Sequence, residues 1–505
     1  MAEPWRDEYH RQYRRLQFVL GPRPVNAPPG WLVTDDVVGG QVLTHHPDLR
    51  VASAQHDGAG LTLLGYILDP DAPQTTDVEI LERLVQVVAA DGDLFEALAM
   101  LGGRYLLLVA GKDLRLVGDA NGSLQVFHAS VSGTTWCAAQ TDLLAEEFGF
   151  EEDPEARAYI ERSVRELGEY SWPAVATLYP DVSRLLPNHY LDLRAGTVRR
   201  YWPTAPLTPR SIDAVKADIA RRLTGMMQAA ANRFDLSMGV SAGLDSRLMF
   251  AASRSVKDRI VYYTGQNAER GKNHPDVRIP RAMLAAAGVE HHLIEADAEV
   301  DPEFAAVYKA SVPFANKKRI RGLQAQYRRY ELKRVAVLGN ISENVRSFYR
   351  SGMPDLPTRG FTAQTFAERR GLGDYPFRIR AVQRYLDELD TCNTHGYDYL
   401  DILMWEHGSG IWFAQNTTEF VCAWQDVFLP FNCRALLLDM LSTPMATRMT
   451  PAKELYAAVA REMWPEVLAY PINPLTPQKW FMEHAYRPLR DVKRAALRLL
   501  RAPAL

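Results

Sequence analysis

The chain has 505 residues, 47% apolar and 24% charged, which fits two or three ordinary globular domains and excludes a disordered, collagen-like or coiled-coil body. A formal net charge of -3 gives no global electrostatic case for nucleic-acid binding, so no nucleic-acid partner is expected. Cys137, Cys392, Cys422 and Cys433 include no CxxC pair and are too few for a disulfide scaffold, which points to a reducing, cytoplasmic setting.

The opening MAEPWRDEYHRQYRRLQFVL lacks the apolar run of a secretory signal, and no window reads as a spanning helix, so no integral membrane segment is expected. Over the first 200 residues, LTLLGYILD (61–69), GRYLLLVA (103–110), LRLVGD (114–119) and SLQVFHA (123–129) predict strands, separated by DGAG, AGKD and DANG turns. Helices are predicted to begin near Thr75 and Asp93. After Trp202, PTAPLTPRS carries three prolines in seven positions and marks a boundary, giving domains 1–205 and 206–505.

Beyond it the pattern alternates. A helix over 211–233 precedes a short strand in FDLSMGVSAG, a helix starts at Leu244, and DRIVYYTG is a strand. A helix and strand follow in 275–297, and KRVAVLGN (333–340) adds another strand. This order predicts an α/β fold with a mostly parallel sheet, followed after about residue 360 by a helical extension. The C-terminal stretch Asp491–Leu505 reads as a basic amphipathic end helix.

The chemistry is concentrated where the strand ending near Val240 meets Ser241-Ala242-Gly243-Leu244-Asp245-Ser246-Arg247. A helix N-terminus presents unpaired N–H groups to phosphate oxygens, Ser241 and Ser246 add hydroxyls, and Gly243 permits close approach. The run lacks Walker A spacing. Asp245 would repel a polyphosphate unless Mg²⁺ bridged the two, and Arg247 is a further candidate for phosphate.

SAGLDS resembles the SGGxDS pyrophosphatase loop of the asparagine synthetase and β-lactam synthetase superfamily, with Ala242 for one glycine. The resemblance extends over about 55–480. HPDVRIPRAMLAAAGVEHHLIE, containing Asp276, His291 and His292, resembles the family's acid, helix and His-containing strand. VLGNISENVRSFYR resembles the loop written around GxGxDE, with Gly339, Ser342 and Glu343 in place and Asn340, Ile341 and Asn344 departing from it. In VFLPFNC, Pro430 and Phe431 match a PFLD segment while Asn432 and Cys433 replace its last two residues. PAKELYAAVAREMW places Lys453 at a catalytic lysine, with Lys479 a second cation. GRYLLLVAGKDLRLVGDANGSLQVFHA, with Asp119 and Gly122, resembles the family's amidotransferase domain, but Ala2 follows Met1 and no cysteine precedes Cys137, so glutamine hydrolysis by an N-terminal cysteine is not expected.

The resemblance implies an Ntn-hydrolase-like layered front domain, a degenerate class II glutamine amidotransferase, followed by an asparagine synthetase-like ATP pyrophosphatase domain of the adenine nucleotide α-hydrolase-like type. It implies an AMP-forming carboxylate-amine ligase that uses ATP and Mg²⁺, with a small-molecule carboxylate and amine as substrates. Ser241, Gly243, Leu244, Asp245, Ser246, Arg247 and Gly339 would hold nucleotide, Asp245 and Glu343 the metal, and Lys453 the charge developing during acyl transfer, with Glu419 and Tyr349 as candidate proton-transfer groups. A precursor peptide, a carrier protein and a homodimer remain open as partners. A lasso-type peptide macrocyclase and a non-catalytic nucleotide-binding scaffold are the competing functions.

Overall fold

The computed structural model describes residues 7–167, 172–266, 271–330, 332–370, 373, 375–449 and 453–474. Lys479 and the Asp491–Leu505 stretch lie outside the described residues.

The front half contains twelve strands among the described residues: β1 Phe18–Gly21, β2 Leu32–Val37, β3 Gln41–His45, β4 Val51–His56, β5 Ala59–Leu68, β6 Gly102–Ala110, β7 Leu114–Gly118, β8 Phe127–Val131, β9 Thr134–Ala138, β10 Ser183–Arg184, β11 His189–Asp192 and β12 Thr197–Arg200. They form two antiparallel sheets of six, ordered β10-β8-β9-β1-β3-β2 and β12-β11-β7-β6-β5-β4. Side chains alternate across a strand, so a sheet apolar on both faces must be covered twice. On β5 and β6, Leu64, Leu106 and Leu108 face the other sheet's Phe18, Leu20 and Leu43, while Leu61, Leu63, Leu107 and Val109 face away and pack with Ile80, Leu81 and Leu84 of the helix Asp77–Ala89. The helix Thr141–Phe148 covers the outer face of β8 and β9. The result is four layers, helix, sheet, sheet, helix.

Thr76 and Glu79 form a reciprocal capping box and Asp93 caps Leu94–Ala99, which places the two predicted helices within a residue or two of their expected starts. The strand expected from residue 123 begins only at Phe127. Asp119 accepts from the backbone N–H groups of Asn121 (3.1 Å) and Ser123 (3.0 Å) and from Ser123 Oγ (2.6 Å), holding residues 119–123 in a tight turn.

The second half contains β13 Leu236–Gly239, β14 Ile260–Gln266, β15 His291–Glu295, β16 Val335–Val337 and β17 Asp426–Phe428. All four neighbouring pairs are parallel, in the order β15-β14-β13-β16-β17. The chain proceeds outward from β13 on one side and from β16 on the other, so the crevice beyond their C-terminal ends is a topological switch point. β17 interrupts the region expected to be helical; at three residues it is too short to show a period of two.

The two halves share one core. Leu106 and Leu108 belong to the same apolar cluster as Met226, Leu236 and Leu436, Tyr66 Oη donates to Val427 O at 2.7 Å, and Arg104 pairs with Asp426 at 3.1 Å. The helical run Tyr399–Phe420, π-helical over Met404–Phe413, lies across both. Its Trp405 Nε1 donates to Ala120 O at 2.7 Å and its Ser409 Oγ to Asn121 Oδ1 at 2.8 Å. A Cβ at Gly410 would fall 2.3 Å from Pro187 Cγ, so glycine sets how closely this helix approaches the front half. Among the described residues no helix is long and apolar enough to cross a membrane.

Burial pushes His128 down to about 4 and His407 down to about 3, and the Nε2 atom of each is buried without a partner. Both histidines are therefore neutral in the folded chain at pH values where the unfolded chain binds protons. Stability is lost as pH falls from about 6.5 toward the folded values, at up to about 1.4 kcal/mol per pH unit for each. Thermal unfolding should show a lower Tm at pH 5 than at pH 7.5, a difference that H407Q reduces; a Tm unchanged across that range would contradict the assignment.

Candidate functional site at the sheet switch point

The loop after β13 leads through Ser241–Gly243 into the helix Leu244–Ala252. Its polar groups are organised by one another. Ser241 and Ser246 hydroxyls are 3.0 Å apart, Ser241 N donates to Ser246 Oγ at 3.1 Å, and Gly243 N donates to Ser241 Oγ at 3.1 Å. Ala242 N donates to Asp276 Oδ1 at 3.1 Å, from the first turn of the helix Pro275–Ala286. These N–H groups are donors of the kind a phosphate takes at a helix N-terminus. Ala242 does not have the positive φ that would demand glycine, and its methyl group is buried.

The loop after β16 faces this one. Gly339 sits against the backbone of Asp245, where an added Cβ would lie 3.4 Å from the Asp245 carbonyl. Ile341 occupies left-handed backbone at φ 77 although it is β-branched and fully buried, and the turn Ser342–Val345 follows it. Such a residue stores about 1–3 kcal/mol of strain. Ser347 (φ 48) and Lys453 (φ 44) are also left-handed, so three strained positions surround the same site.

Four charges meet there. Arg346 pairs with Asp245 Oδ2 at 2.8 Å and with Glu343 Oε1 at 2.5 Å, and Lys453 Nζ stands 3.7 Å from Asp245 Oδ1. Ser342 Oγ is 3.4 Å from Asp245 Oδ1, and Tyr456 Oη donates to Ser342 O at 3.0 Å. Burial raises the Glu343 carboxyl above its ordinary range, with Arg346 opposing. Burial lowers the Lys453 ammonium, with Asp245 opposing. Burial also works against the Arg346 cation, but the two carboxylates outweigh it and hold its pKa above the ordinary value.

Ser241, Gly243, Asp245, Ser246, Gly339, Glu343 and Lys453 thus lie close together. Four other candidates are placed differently. Arg247 is fully buried beneath the loop, donating to the carbonyls of Tyr470 (2.5 Å), Pro471 (2.8 Å) and Ala242 (3.4 Å); its guanidinium fastens the chain at 470–473, where Asn473 N also reaches Ala242 O at 3.1 Å. Leu244 has its side chain in the core, leaving its backbone N–H as its contribution. Glu419 is fully buried, accepting from Tyr308 Oη (3.0 Å) and Asn316 N (3.2 Å) and pairing with Arg319 (3.4 Å), in a network that does not include the acid cluster. Tyr349 is buried under Arg370, whose guanidinium lies 4.8 Å from the ring, and burial raises its phenol. Among the described contacts, neither Glu419 nor Tyr349 touches Asp245, Glu343, Arg346 or Lys453.

Arg346 is the member of the cluster with no counterpart among the expected site residues, although a base three residues after Glu343 is the spacing that puts two side chains on one side of a turn. Cys137 lies between the two front sheets, where burial pushes its thiol up, which removes it as a nucleophile.

No family model matches the sequence, and no curated protein matches it. Three solved structures show a remote likeness. A glutamine-dependent NAD+ synthetase from Acinetobacter baumannii in complex with ADP is 12% identical, with 40% of this chain and 43% of that chain covered and a TM-score of 0.19, so this chain spans under half of that protein. A glutamine phosphoribosylpyrophosphate amidotransferase from B. subtilis complexed with ADP and GMP is 13% identical, covering 67% and 73%, at TM-score 0.22. An allosteric regulatory enzyme of purine biosynthesis is 12% identical, covering 77% and 89%, at TM-score 0.23. At these TM-scores the likeness assigns this chain neither a ligand nor a reaction.

Because Arg247 holds residues 470–473 against the loop, Arg247→Met should lower stability by about 1–3 kcal/mol, since the part-buried carbonyls of Tyr470 and Pro471 lose their donor. Limited proteolysis should then cut near Tyr470, while S246A leaves that segment protected. Equal protection in Arg247→Met would refute the fastening role.

Proposed function

We propose that the chain is an ATP-dependent amide-forming synthetase, which activates a carboxylate as its adenylate and passes the acyl group to an amine. The observation that carries this reading is the convergence, at the switch point of a five-stranded parallel sheet, of a serine- and glycine-lined helix N-terminus with Asp245, Glu343 and Lys453.

In this reading a carboxylate oxygen of the substrate attacks the α-phosphorus of ATP, the bond from that phosphorus to the bridging oxygen breaks, and pyrophosphate leaves with that electron pair. The loop's N–H groups and the Ser241 and Ser246 hydroxyls hold the departing phosphates. To do so they exchange their internal partners, including the Asp276 carboxylate on Ala242 N, for phosphate oxygens. The amine nitrogen then attacks the acyl carbon, the carbon–oxygen bond to AMP breaks, and the surplus proton is lost to water. Lys453, fixed in left-handed backbone and largely buried, offers a positive charge to the oxygen that becomes negative in each step.

The expected Mg²⁺ does not fit the acids as they stand. Arg346 already bridges Asp245 and Glu343, and among the described residues no group of three or more His, Cys, Asp or Glu could hold a metal. No step is assigned to a metal on that pair.

One observation favours a non-catalytic nucleotide-binding scaffold as the second reading: the three loop N–H groups and both acids already have partners within the chain. Isotope exchange separates the two. With an authentic acid, the synthetase catalyses acid-dependent exchange of labelled pyrophosphate into ATP, and an authentic amine yields amide, AMP and pyrophosphate in equal amounts. Lys453→Met should lower amide formation about 10²–10³-fold. Obligatory release of ADP and orthophosphate would rule out the adenylate.

A further inference from the structure

The crevice beyond β13 and β16 contains its own cation. Arg346 uses one Nη atom for Asp245 and the other for Glu343, so its guanidinium spans the gap between the carboxylates. Its side chain is only 12% exposed, and among the described residues its Nε is buried without a partner and its guanidinium is held by the two acids. The strained Ile341 turn and the following Ser342–Val345 turn carry Glu343 and Arg346 together toward the first turn of Leu244–Ala252.

Two arguments show what this arrangement excludes. The first is charge: Asp245 and Glu343 are balanced by Arg346 and Lys453, so a dication added beside them would create an excess of two positive charges in a half-buried site. The second is space. A divalent ion ligated by Asp245 Oδ2 and Glu343 Oε1 would sit about 2.1 Å from each, where the guanidinium lies.

We propose that Arg346 takes the place of a divalent cation, making Asp245 and Glu343 a guanidinium site that no divalent ion enters. The inference rests on the arginine and its two acids and stands apart from the nucleotide reading above.

The test is a titration of the full chain with Mn²⁺ and no nucleotide, followed by the electron paramagnetic resonance signal of the free ion. The wild-type chain and R346K, which keeps the charge, should show no specific site. R346Q and R346A should each gain one site at least about tenfold tighter than anything in the wild type, and R346A/D245N should lose it. A cooperative thermal melt confirms that each variant is folded, and R346Q retains bulk and hydrogen bonding if R346A is not. Stoichiometric Mn²⁺ binding by the wild type, or no gain in folded R346Q, overturns the proposal. Since neither ATP, acid nor amine is present, failure here is separate from failure of the synthetase reading.

Discussion

The adjacency of Leu236–Gly239 and Val335–Val337 as parallel neighbours governs the site. Parallel strands release their connections at the same edge, and at a switch point those connections diverge and leave a crevice. The loop bearing Asp245 and the loop bearing Glu343 therefore face each other although about a hundred residues separate them in the chain. Lys453, from a third segment, completes the cluster at the start of the helix Glu454–Met463.

Holding four charges together in a partly dry crevice is costly unless each is matched, and removing one partner strands another. Arg346 provides most of that matching, and its position depends on backbone that the chain adopts against local preference at Ile341 and Ser347. The strain is retained because Ile341 is packed inside the main core, where its burial offsets what the turn costs.

The front half is bound to this arrangement through buried polar contacts as well as apolar ones. Asn344, next to Glu343, donates to Asn121 Oδ1 at 3.1 Å, and Asn121 N in turn donates to Asn432 Oδ1 at 3.0 Å. Asn432 donates to Gly103 O at 2.7 Å. Asn344 and Asn432 are thus members of one interface network.

Local pattern determined much. The two-sided apolar strands at 61–69 and 103–110, the capped helices after Thr76, Asp93 and Ser211, the alternation from 211 to 340 and the glycine-serine loop at 241–246 were all legible, because each is specified by neighbours a few residues apart. Tertiary structure decided which polar side chains share a space. Arg247, Glu419 and Tyr349 carry chemistry-bearing groups but are engaged by partners from other segments, whereas Arg346, unremarkable in sequence, bridges the two acids. A side chain's role at a site is set by what the folded chain places within about 3–4 Å of it, and that distance is not a local property of sequence.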